Sequence, residues 1–215
     1  MNIANNILKY NLKNVYFLGG TACGGKTTMG KALSKKYGFI HYDDNYHTDN
    51  FFKFTEICDA VYQPHSTKKF DWEYYFNRPA EEWDNWLKDS GLEHLQYMLI
   101  ELIKLSQGNI VIADLHLPIS LANEITEYNK VAFLLTEPKN VIKDYYQRND
   151  HKDIYDLIMT LKDPQKSLDN LHNLFEYGTQ KFINELYKSG LFYIMRDQNS
   201  TVENTLLKLE KHFRL

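Results

Sequence analysis

The feature that most constrains this chain lies near its start, where an apolar run, a glycine-rich turn and an amphipathic stretch follow one another. Val15, Tyr16, Phe17 and Leu18 form a continuous apolar run ending in Gly19 and Gly20, the pattern of a strand buried on both faces of a parallel sheet. From there the chain reads Gly20-Thr21-Ala22-Cys23-Gly24-Gly25-Lys26-Thr27, which fits G-x-x-x-x-G-K-[ST] at every fixed position. A helix is predicted from Lys26, with Met29, Ala32, Leu33 and Tyr37 on one face and Gly38 as its stop. Glycines let the backbone turn tightly, so successive N–H groups converge on one anion. The helix N-terminus adds partial positive charge and Lys26 a full one. The Thr27 hydroxyl suits a divalent cation. Residues 20–28, Thr28 included, therefore read as a loop that holds nucleoside triphosphate phosphates together with Mg²⁺.

The rest of the chain alternates strands and helices. Strands are predicted over residues 39–42, closing on Asp43 and Asp44, and over 109–114, 130–136 and 191–195. Leu92, Leu95, Leu99, Leu102 and Ile103 mark a helix that Gly108 ends, and Val202, Leu206, Leu209 and Phe213 mark the last one. Between the fourth and fifth strands, Val141, Ile142, Ile154 and Leu157 belong to a helical stretch broken at Asp163-Pro164, with a second helix beyond it. Residues 45–90 carry no clear period but hold all three tryptophans and many other aromatics. Alternation of this kind implies an α/β sandwich of three layers, a five-stranded parallel sheet with helices on both faces. Residues 1–215 read as one domain, with an insert at 45–90.

Composition weighs against several functional classes. Lys plus Arg is 25 and Asp plus Glu is 28, giving a net charge of −3, without the basic footprint of nucleic-acid binding. No apolar run approaches the roughly 20 residues a membrane span needs. Two cysteines, Cys23 and Cys58, are too few for a disulfide framework, so a reducing, cytoplasmic setting is expected.

Asp114 closes the third strand, where a carboxylate can hold Mg²⁺ directly or through water, or simply cap the next turn. His116 follows two residues later and is read as a neutral, structurally hydrogen-bonded imidazole. Arg78 lies among the insert's aromatics, where a guanidinium can grip a carboxylate or phosphate while the rings either stack on substrate or pack.

These features together resemble the small-molecule and nucleoside kinases of the P-loop superfamily, the group of shikimate, gluconate, uridine and nicotinamide riboside kinases. The resemblance is carried by residues 20–28, by Asp43-Asp44-Asn45-Tyr46, by residues 110–114 and by a helical segment containing Arg148. It implies an ATP-dependent transfer of phosphate to a hydroxyl of a small metabolite or nucleoside. It implies further that Asp43 takes or orients the hydroxyl proton, with Asp44 beside it in the same role or in substrate binding. Residues 45–90 would form the acceptor site, and residues 138–165 a lid whose Arg148 stabilises the transferring group; a surface salt bridge to Asp144 or Asp150 is the plainer role for that arginine. Contacts to the nucleotide base are expected near residues 196–200. ATP over GTP rests on the resemblance alone, and a monomer or a homodimer fits equally.

The chief rival is a switch or motor NTPase. Thr160-Leu161-Lys162-Asp163 comes near a guanine-reading motif but has its lysine misplaced. Under either reading Lys26 is essential. Lys26→Ala is expected to abolish phosphate transfer while far-ultraviolet circular dichroism and melting temperature stay unchanged; wild-type turnover in that variant contradicts the loop assignment.

Overall fold

In the computed structural model, the residues described are 4–43, 71–147 and 152–215. Five strands, β1 (Val15–Gly20), β2 (Ile40–Asp43), β3 (Val111–Asp114), β4 (Val131–Leu135) and β5 (Tyr193–Met195), form one sheet in the order β2-β3-β1-β4-β5. Every pairing is parallel. The chain leaves β1 toward one edge of the sheet and later returns to build the other half. The strand order therefore reverses at β1, and the crevice at the carboxyl ends of β1, β3 and β4 is where ligands lie in such sheets.

Strand residues alternate between the faces, and two separate cores follow from that period of two. On one face Phe17, Val111, Ala113, Val131, Phe133 and Leu135 pack under α4 (Ala80–Leu105), α5 (Ile119–Ile125) and α8 (Pro164–Ser189). Leu95, Met98 and Leu102 come from α4, Ala122 and Ile125 from α5, and Ile183 and Leu186 from α8. On the other face Leu18, Ile112, Ala132, Leu134 and Ile194 meet Met29 and Leu33 of α2 (Lys26–Tyr37) and Leu209 and Phe213 of α9 (Val202–Phe213). A short α1 (Asn5–Asn11) precedes the sheet. Among the described residues no helix is long and apolar enough to cross a membrane.

The helices α4 and α8 each run for 26 residues, about 39 Å at 1.5 Å per residue, well beyond what the sheet can cover. Their amino-terminal parts carry a third core of Phe76, Trp83, Ile158, Leu171 and Leu174. It is completed by α3 (Trp72–Phe76) and α7 (Lys152–Ile158); between β4 and α7 lie α6 (Pro138–Asp144) and a 3₁₀ turn at Tyr145–Gln147. Asp71 caps α3 by accepting from the Tyr74 N–H at 3.0 Å, and Asp163 caps α8 by accepting from Lys166 N–H at 3.1 Å.

The described part of the insert, residues 71–90, is helical, which the sequence pattern does not reveal. Tyr75 stands edge-on to Trp72, Phe76, Trp83 and Trp86, with ring centroids 5.0–5.6 Å apart. A helix with partners on several sides shows no single apolar stripe. Asp163-Pro164, expected as a break, starts α8, because proline at the first helical position lacks only an N–H that has no helical partner anyway. Trp83, 1% exposed, is the largest fully buried side chain of this region. Trp83→Ala is expected to cost about 3–5 kcal/mol, read as a lowered urea midpoint by circular dichroism; an unchanged midpoint contradicts the third core.

Candidate phosphate-binding site

The loop from β1 to α2 is seated on the end of β4. Thr21 N–H donates to the Leu134 carbonyl at 3.1 Å, and Gly24 N–H donates to Thr21 O at 3.3 Å. A Cβ at Gly20 would lie 1.9 Å from Leu134 O, and one at Gly24 would lie 2.2 Å from the same atom. Gly20 also adopts φ +128°, and Gly25, the residue before α2, φ +98°, so side chains are excluded by sterics at two positions and by backbone conformation at two. Thr21 is buried and its Oγ1 accepts from Thr136 N–H at 3.0 Å. No side chain caps α2 and no acidic residue stands in its first turn. Its leading N–H groups are thus offered to an anion rather than used locally.

Charge is set around this loop. Lys26 Nζ reaches back to donate to Thr21 O at 3.1 Å, which holds the ammonium over the loop. Thr27 Oγ1 donates to Asp114 Oδ2 at 2.5 Å. In the register of β2 and β3, Asp43 stands opposite Asp114, so two carboxylates end neighbouring strands at the same edge. Asp114 is 2% exposed. Burial pushes its pKa above the ordinary carboxylate range and Asp43 adds to the rise, against the opposing pull of Lys26 and Thr27. His41 Nε2 lies 3.9 Å from Asp114 Oδ2, beyond a hydrogen bond, and burial lowers its pKa more than the nearby carboxylates raise it. Its ring fills the space left by Gly30, where a Cβ would lie 2.5 Å from Nε2.

The oxygens of Thr27 and Asp114 fit a hard cation such as Mg²⁺. Among the described residues no three His, Cys, Asp or Glu side chains form a metal cage. A Mg²⁺ held by these two residues would need further oxygen ligands from outside the protein.

Comparison with solved structures bears on the fold. A shikimate kinase from Bacteroides thetaiotaomicron matches over 94% of this chain and 98% of its own, with a TM-score of 0.53 and 15% identity. The fold is that of the P-loop kinases. A shikimate kinase from Acinetobacter baumannii in complex with shikimate (16% identity, 92% of this chain and 90% of that one, TM-score 0.43) and a dephospho-CoA kinase from Campylobacter jejuni (17%, 94% and 96%, TM-score 0.41) are weaker likenesses that add nothing to the assignment. No protein-family model and no curated protein matches the sequence.

Within this P-loop kinase fold, two cavities flank the loop. One, of about 310 Å³, lies between Gly24, Gly25 and Thr28 on one side and Arg196, Ser200 and Thr201 on the other. The stretch expected to contact a base thus faces the start of α2. Arg196 donates to Cys23 O at 2.8 Å and pairs with Asp144, the last residue of α6, at 3.4 Å. That guanidinium ties the loop to the start of the predicted lid region, a link the sequence does not advertise. Cys23 itself is in the left-handed region at φ +56°.

The second cavity, of about 200 Å³, borders Gly20, Thr21 and Ala22 and is walled by α4 and α8. His116 lines it too, as a solvent-exposed residue. Asp84 and Lys181, which no motif in the sequence singles out, meet here at 2.8 Å.

Arg78 lies elsewhere. It is 6% exposed, with its guanidinium carbon 4.6–5.2 Å from the ring centroids of Tyr74, Tyr75 and Trp86, and it lines neither cavity. Asp44 and Arg148 fall outside the described residues, as do residues 45–70 of the insert.

A carboxyl pKa raised by folding makes the folded state favour the protonated form. Asp114 therefore supports stability below the unfolded carboxylate pKa, and that support is lost as pH rises through its own, higher value. Asp114→Asn is expected to melt higher than the wild type near pH 7, with the gap closing below about pH 4. Equal melting at both pH values contradicts the burial argument.

Proposed function

We propose that this protein transfers the γ-phosphoryl group of Mg·ATP to a hydroxyl of a small metabolite or nucleoside. The observation that carries the reading is the phosphate loop with Lys26 above it, Thr27 hydrogen-bonded to Asp114, and Asp43 beside Asp114 at the strand edge. A device that only hydrolyses nucleotide needs the first two of these, whereas a second carboxylate at the cleft edge suits deprotonation of an acceptor.

Loop amides and the α2 N-terminus bind the β- and γ-phosphates, and Lys26 neutralises charge that spreads over the equatorial oxygens as the γ-phosphoryl moves. Mg²⁺, when held by Thr27 and Asp114, supplies further charge neutralisation on the phosphates. Asp43 accepts the proton of the acceptor hydroxyl as its oxygen bonds to the γ-phosphorus. The bond from that phosphorus to the β,γ-bridging oxygen breaks, and ADP leaves. The cavity between Gly24 and Arg196 takes the nucleoside of ATP. Arg148, in the lid region, is the residue we assign to the transferring group.

The test is ATP consumption with and without a panel of hydroxylated metabolites, followed by mass spectrometry. Stimulation by one compound, with a product heavier by one phosphate, is the expected result. Equal hydrolysis throughout the panel contradicts the transferase reading and favours a switch NTPase.

A further inference from the structure

Arg196 is the first residue after β5, and its backbone extends the sheet by one more bond, its N–H donating to Leu135 O at 2.7 Å. The turn beyond it is fixed by Asp197, whose Oδ1 accepts from Asn199 N–H at 2.9 Å and from Ser200 Oγ at 2.8 Å. Leu135 adjoins Leu134, the residue on which the phosphate loop is seated, so the guanidinium and the loop depend on successive residues of β4. From that base Arg196 Nη1 donates to Cys23 O at 2.8 Å and lies 3.4 Å from Asp144 Oδ2. The side chains of Arg196 and Asp144 are 47% and 27% exposed, so their ion pair adds little stability in itself; its effect is to orient the guanidinium. The bond to the Cys23 carbonyl is the one that acts on the site.

Cys23 is where the loop needs such support. Its φ of +56° lies in the left-handed region, which disfavours a residue with a Cβ by about tenfold. Gly25, also at positive φ, carries no such penalty. A peptide unit is planar, so a hydrogen bond that holds Cys23 C=O also sets the direction of Gly24 N–H on its other side. That N–H donates to Thr21 O at 3.3 Å, and the same oxygen accepts from Lys26 Nζ at 3.1 Å. Arg196 is therefore linked through one peptide and one carbonyl to the ammonium over the loop, although 173 residues separate it from Cys23.

We propose that Arg196 is a positioning residue for the phosphate loop. By holding the Cys23 carbonyl it keeps Cys23 in the left-handed region and the loop amides in their anion-receiving arrangement, while Asp144 of α6 keeps the guanidinium aimed. It acts through the loop and not by contact with the nucleotide. An arginine suits the task, since separate N–H groups of one planar fork serve a carbonyl and a carboxylate together. The inference rests on the phosphate-loop reading and adds to it a residue from the far end of the chain.

The experiment measures binding to the full chain by calorimetry, with Mg·ATP and with Mg·tripolyphosphate, which offers a chain of phosphates without a nucleoside. Arg196→Met is expected to weaken both by a similar factor, about tenfold. In the Cys23→Gly background, where left-handed backbone needs no support, the loss on Arg196→Met is expected to shrink to about threefold or less. A loss confined to ATP assigns Arg196 to the nucleoside, and an undiminished loss in the Cys23→Gly background assigns it to the charge of the phosphates. Either result overturns the proposal. Should Arg196→Met not fold, Arg196→Lys, which keeps the charge but not the fork, is read by the same comparisons. Wild-type protein that takes up neither ligand overturns the phosphate-loop reading and this inference with it. Uptake by the wild type with unchanged binding in the variant overturns this inference alone.

Discussion

A single carbonyl oxygen, that of Leu134, holds the site in place. It accepts from Thr21 N–H, and the backbone at Gly20 and Gly24 presses so close to it that neither position has room for a Cβ. The loop is thereby fastened to β4, a strand whose five residues are all buried, and the Thr136 amide adds a second tie through the Thr21 hydroxyl. Amides aimed at a polyanion are useful only if they do not move when it arrives, because orientation must be established before binding. Seating the loop on a fully buried strand favours that orientation.

From this seat the polar parts of the site follow by strand geometry. Parallel strands end at a common edge, so the carboxylates that close β2 and β3 are neighbours because their residues are in register. The edge is also the place where strand order reverses, which opens a crevice between β1 and its flanking strands. Burial at that edge is unfavourable for a charge. Asp114 bears that cost, with Thr27 and Lys26 offsetting part of it, and the destabilised carboxylate is what a divalent cation would neutralise.

The two 26-residue helices extend the molecule away from the sheet and turn an otherwise ordinary three-layer fold into one with a separate aromatic core. Arg78 belongs to that core. A guanidinium can lie flat on aromatic faces at less desolvation cost than an ammonium, which is why it is tolerated at 6% exposure among three rings. The same helices bring Asp84 and Lys181 together near the loop although 97 residues separate them in sequence.

Much was legible in the chain itself because it depends on neighbours in sequence. The phosphate loop, the helix from Lys26 to its glycine stop, the parallel α/β class and the carboxylates closing β2 and β3 all follow from local spacing, turn chemistry and unbroken apolar runs. Other features were decided only by the tertiary structure. Helix in residues 71–90 was hidden because a segment buried on several sides loses its period. The Arg196 tie to Cys23, the Asp84–Lys181 pair and the two cavities beyond the loop join residues far apart in the chain, and their charges look in sequence like ordinary solvated surface. Local patterns report which face of an element avoids water; which distant groups then meet is settled by how the helices pack on the sheet.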